Sequence, residues 1–183
     1  NEGKRIQSCD TDYTNADGVH VFRLKCKPGK VANTLRVYPE ISNLVKELQP
    51  DILFIHGCAF WSIHKLAAYL KKHNVVRVYV DNHADYSNSA TNWLSKNILH
   101  RIIWRSCAKA IESYTRKFYG VLPARVDFLT ELYGLPSKKC ELLVMGADDD
   151  AVEAAAKPEV KAAIREKYGI AADDFLVMTG GKI

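Results

Sequence analysis

The stretch Val76-Arg-Val-Tyr-Val-Asp-Asn-His-Ala-Asp-Tyr-Ser-Asn-Ser89 decides the fold. Its first residues are mostly apolar and β-branched, and they read as a buried strand over residues 75–80. The chain then breaks abruptly into groups that carry protons and hydrogen bonds. Asp81, His83 and Asp85 stand at alternate positions, with Asn82, Tyr86, Ser87 and Asn88 between and after them. A buried strand that empties into such a loop marks the carboxyl end of a strand in an open α/β sheet, the edge at which ligands bind.

The flanking chain supports that class. Upstream, Gly18–Lys25 alternates and predicts a strand. Ile41, Leu44, Val45 and Leu48 recur at helical spacing, and Pro50 stops that helix. Ile52–Ile55 is a short, wholly apolar strand, as expected where both faces of a sheet are covered, and His56-Gly57-Cys58 lies at its carboxyl end. A second helix spans residues 63–73. Downstream, the pattern predicts a long helix from Trp93 to Tyr119 with one possible break. A minimal strand at 120–122, a helix at 125–133 and a strand at 141–145 follow. The composition then turns acidic and alanine-rich, a polar helix fills 158–168, and Asp174–Thr179 reads as a strand before Gly180-Gly181-Lys182. Such alternation predicts a Rossmann-like parallel sheet with helices on both faces. The expected organisation is a domain over 1–150, a linker helix over 151–172 and the start of a second domain over 173–183.

Length and composition narrow the classes. The 183 residues suit one domain with an addition, and 48% hydrophobic residues suffice for a core. There is no apolar run of membrane-spanning length and no secretory pattern at the polar N-terminus. Five widely spaced cysteines without a C-x-x-C point to reduced thiols, and a cytoplasmic setting is expected. The net charge of +5 is unevenly spread: between Trp93 and Tyr119 six bases face one acid, Glu112. That asymmetry suggests an anionic partner. A stripe of Arg101, Trp104, Arg105 and Lys109 on the long helix is the candidate for contact with an anionic membrane surface. The alternative is an ordinary solvated helix face. Nucleic acid is not expected, because no recognition motif is present and the bases are not interleaved with several aromatics.

Three constellations carry chemistry. His56 and His83 end neighbouring strands and are expected to face one crevice, where a neutral imidazole donates to one group and accepts from another. Asp81 and Asp85 either fix a tautomer or bind sugar hydroxyls. Asp81-x-His83-x-Asp85 also has the ligand types of a divalent-metal site, but no zinc-protease motif supports it, and no metal is assigned. Gly180-Gly181-Lys182 after a strand is a possible phosphate cradle, since glycine lets backbone amides approach oxygens.

Tyr119–Asp148, with its Tyr-Gly-Leu-Pro and Gly-Ala-Asp segments, resembles the close of the N-terminal domain in retaining glycosyltransferases of family 4, which have the GT-B fold. Arg165–Ile170 and Phe175–Ile183 resemble that family's linker and the first strand of its donor-binding domain. The resemblance runs from about Leu35 onward, and it is the order of the motifs that carries it. It implies a hexosyltransferase-type enzyme moving a sugar, with retention, from a nucleotide-sugar to a saccharide or lipid-linked acceptor, as in polysaccharide biosynthesis at an inner membrane face. His83 matches the family histidine that hydrogen-bonds the transferred sugar, a catalytic role. His56 and Gly57 match the acceptor-side His-Gly, with Asp85 nearby as an acceptor ligand. Gly181 and Lys182 match the donor-phosphate position, with lysine where arginine is usual. No cofactor beyond the nucleotide-sugar and no essential metal are implied. The family's first glycine-rich loop and the acidic pair of its second domain have no counterpart here. Further chain on both sides is therefore expected, and the chain by itself is expected to be inactive. Two other classes compete: a metal-dependent hydrolase using Asp81, His83 and Asp85, with His56 as a further candidate ligand, and a non-catalytic α/β module that binds an anionic surface or a protein.

Overall fold

The computed structural model describes residues 12–179. The chain divides into two compact units between Val144 and Met145. The first unit begins with a small antiparallel hairpin, β1 (Asp12–Thr14) and β2 (His20–Phe22). Asn15 closes its turn by accepting from the amides of Asp17 and Val19. Helices α1 (Lys30–Thr34) and α2 (Ile41–Leu48) follow. A parallel sheet then forms from β3 (Ile52–His56), β4 (Arg77–Asn82), β5 (Thr115–Gly120) and β6 (Cys140–Leu142) in sequential order. Its crossovers are α3 (Ile63–Leu70), a π-helical segment (Ser95–Trp104) running into α4 (Arg105–Glu112), and α5 (Pro123–Glu131).

The α/β class read from the sequence is the one observed. Ladder register fixes which side chains share a face. Ile52, Phe54 and His56 pair with Arg77, Tyr79 and Asp81, so Leu53 and Ile55 lie with Val78 and Val80 on the opposite face. That second face is the core: Ile55, Val78, Val80 and Phe118 are buried against Ile63, Leu70, Ile111 and Phe128 from the helices. Ile52 and Phe54 are about half exposed, at 50% and 54%. Gly120 permits close packing where β5 meets α5, since a Cβ there would lie 2.4 Å from the backbone nitrogen of Val126.

Several boundaries differ from the sequence reading. The long helix ends at Glu112, and Thr115–Gly120 is strand β5 rather than helix. Thr115 and Phe118 are buried, while the neighbouring Lys117 projects to an ion pair with Glu141. The bases of this stretch thus divide between a helix and a strand. Ile98 and Ile102 are exposed, because the wider π turn rotates them away from the sheet.

The second unit contains α6 (Asp149–Ala155) and α7 (Pro158–Tyr168). Asp148 caps α6 by accepting from the Ala151 amide, and Gly169 ends α7 in the left-handed region at φ 65°. The strand expected at Asp174–Thr179 is not formed. Residues 175–179 have no ladder partner among the described residues, and Phe175, Val177 and Met178 are exposed.

Candidate functional site

The carboxyl ends of β3 and β4 meet at Asp81. Its Oδ1 accepts from the Gly57 amide at 3.0 Å, and the Gly57 amide is also 3.1 Å from the Asp81 carbonyl. Its Oδ2 receives two imidazoles, His56 Nδ1 at 2.8 Å and His83 Nε2 at 3.0 Å. A carboxylate only accepts, so each ring turns an N–H toward it and the tautomers are thereby assigned. The two rings lie 4.4 Å apart between centroids and are tilted by 52°. Gly57 sits at φ 78°, a left-handed conformation that turns the chain back toward Asp81 and that suits glycine.

The loop after β4 is held from within. Asn82 bonds Ala84 N and Ala84 O, forming an Asx-type turn, and also donates to the Arg125 carbonyl at 3.1 Å. Asn88 donates to the His83 carbonyl at 2.7 Å. Asp85 is buried. Its Oδ1 accepts from Ser87 N, Ser87 Oγ and Asn88 N, and its Oδ2 from Arg125 Nε at 3.1 Å. Burial opposes ionisation of this group, but the hydrogen bonds from Ser87, Arg125 and Asn88 outweigh it and hold the carboxyl down at about 2. Asp85 therefore organises the loop. It does not join the metal-type group that its spacing suggested, and it does not line the cavity beside His56 and His83.

His56, Gly57, Asn82 and His83 open onto a cavity of about 370 Å³. Its other walls include Arg36, His100 and Trp104. Sequence reasoning missed all three as pocket residues. Arg36 follows α1 with φ 53°, a left-handed conformation uncommon for a non-glycine residue, and donates to the Ala59 carbonyl at 3.3 Å. No sequence signal marks such a position. His100 is buried, with Nδ1 2.9 Å from the Tyr133 hydroxyl, and burial lowers its pKa to about 4. It is therefore a neutral ring at physiological pH. A histidine on the inner side of the helix was the available signal. The thiols of Cys58 and Cys107 are pushed up to about 12 by burial and stay protonated.

Trp104 corrects the proposed membrane stripe. It is 3% exposed and packs into the core and cavity wall, because it falls on the sheet side of the π-helical segment. Arg101 and Arg105 are exposed, and Lys109 pairs with Glu112 at 2.7 Å. The apolar residues that do face out here are Trp93, Leu94, Ile98 and Ile102. Among the described residues no helix is long and apolar enough to cross a membrane. Gly181 and Lys182, the expected donor-phosphate residues, lie outside the described residues.

No family model matches the chain, and no curated protein does. Among solved structures, it is similar to a glycosyltransferase from Rickettsia africae ESF-5, with a TM-score of 0.47 and 16% identity. The match covers 84% of this chain and 37% of that one.

His100 makes a pH prediction. Its folded pKa, about 4, lies below the ordinary value of 6.5, so the unfolded chain binds the extra proton first. Its contribution is complete above pH 6.5 and is lost as pH falls toward 4, by about 2–3 kcal/mol. Urea midpoints at pH 7 and pH 5 should differ less in His100→Gln than in the wild type. An unchanged difference contradicts the assignment.

Proposed function

We propose that the chain forms the acceptor-side lobe of a glycosyltransferase that moves a sugar from a nucleotide-sugar to a hydroxyl acceptor. The observation that carries this reading is the convergence of His56, Gly57 and His83 on one cavity at the carboxyl edge of a parallel sheet. The motif order described above supports it further. His83 would hydrogen-bond the transferred sugar, and the Asp81 carboxylate would hold its ring in place. His56 and Gly57 would border the acceptor, and the neutral ring of His100 together with Trp104 would form the floor on which a saccharide packs. Transfer with retention, and neutralisation of the leaving diphosphate by Lys182 and backbone amides, complete the proposal.

His83→Ala in the full-length protein tests it. Transfer of labelled sugar should fall by about a hundredfold or more, the scale of losing one positioned hydrogen-bonding group, with far-UV circular dichroism unchanged. Transfer near the wild-type rate contradicts the role.

A lipid-linked acceptor at an anionic membrane is the finer part of the proposal. It is favoured by the outward Trp93, Leu94, Ile98 and Ile102 beside Arg101 and Arg105. Sedimentation with vesicles containing phosphatidylserine should show salt-sensitive binding that Ile102→Asp weakens several-fold. Equal binding by the variant contradicts this attachment.

A further inference from the structure

We propose that His56, Asp81 and His83 form a binding site for one divalent transition-metal ion. The proposal does not rest on the glycosyltransferase reading. Its basis is the shared oxygen. Two imidazole nitrogens from different segments converge on a single carboxylate oxygen, at 2.8 and 3.0 Å, and all three potential ligand atoms lie within 4.8 Å of one another. A tetrahedral ion with bonds of 2.0–2.1 Å needs ligand atoms about 3.3 Å apart, so the two nitrogen–oxygen spacings open by only a few tenths of an ångström.

The supporting shell is built as a metal site requires. Asp81 is tied down through its other oxygen by the Gly57 amide, which leaves Oδ2 as a one-oxygen ligand. The loop carrying His83 is fixed by Asn82 and Asn88. The His56 side chain is 74% exposed, so it has room to swing and the ion has a path in from solvent. His56 and His83 both line the open cavity. Two imidazoles and one carboxylate favour Zn²⁺, Co²⁺ or Ni²⁺ over Mg²⁺ or Ca²⁺, which prefer all-oxygen sets.

Charge and protons balance as follows. In the metal-free state His56 carries its proton on Nδ1 and His83 on Nε2, each donated to Asp81. A metal takes the lone pair of those same nitrogens, so each neutral ring must move its proton to the other nitrogen. No redox step or co-reactant is involved. Binding therefore leaves a spectroscopic signature, a tautomer switch in two rings, that a chance surface ion would not produce.

The test is titration of tag-free, chelator-treated protein with Zn²⁺ by calorimetry, and with Co²⁺ by visible absorption. One ion per chain is expected, with d–d bands of a four- or five-coordinate centre. His56→Ala and His83→Ala should each weaken binding by at least 10–100-fold, the loss seen when even an outer partner of a ligand is removed. His20→Ala is the control, because His20 and Asp12 form another exposed histidine–carboxylate pair. Nitrogen-15 spectra should show His56 and His83 exchanging tautomers on Zn²⁺ addition. Circular dichroism checks that the variants fold. Binding that does not saturate, that survives both single substitutions, or that is lost in His20→Ala instead overturns the proposal. So does saturation without the tautomer switch.

Discussion

The carboxylate of Asp81 is the constraint on which the site depends. It ends β4, yet its bonds reach the residue after β3 through the Gly57 amide and two rings through one oxygen. Remove that negative charge and three donors lose their common acceptor. With it, two strand ends become one rigid rim. Asp81 is largely shielded from water, with its side chain 10% exposed, which strengthens each of these bonds relative to their value in bulk solvent. Apolar Val78 and Val80 anchor the strand beneath, so the polar edge is positioned by a dry core directly below it.

The rest of the cavity follows from the same division. Core-facing residues of the helices supply a floor of His100 and Trp104, and burial keeps the His100 ring neutral. Asn82 and Asp85 hold the loop by spending their hydrogen-bonding capacity inside it. The groups left facing the cavity are few, and they come from separate elements: a residue after α1, two strand ends and one helix. A site assembled in this way has little representation in any single segment of chain.

That assembly explains what the sequence reveals. Strands β3 and β4 are legible because continuous apolar runs end in Gly or polar residues, and the polar burst after Val80 marks the functional edge directly. His56 and His83 are legible as strand-end residues. Their common partner is only half legible, since the spacing offers Asp81 and Asp85 alike and the pairing of the two strand ends selects Asp81. Strand β5 is hidden because Arg116 and Lys117 continue a basic helical pattern, and only the buried Thr115 and Phe118 separate it. The π-helical turn shifts the register that a 3.6-residue period assumes. Trp104 thereby moves inward, and Ile98 and Ile102 outward. Arg36 enters the wall through a left-handed backbone conformation that has no sequence signature for arginine.

The most direct test of the shared-carboxylate arrangement is long-range ¹H–¹⁵N NMR of the histidine rings in the metal-free protein at neutral pH. The geometry predicts a proton resident on Nδ1 of His56 and on Nε2 of His83, both disturbed together by Asp81→Asn. A His56 ring protonated only at Nε2, or two rings indifferent to the Asp81 substitution, would contradict it.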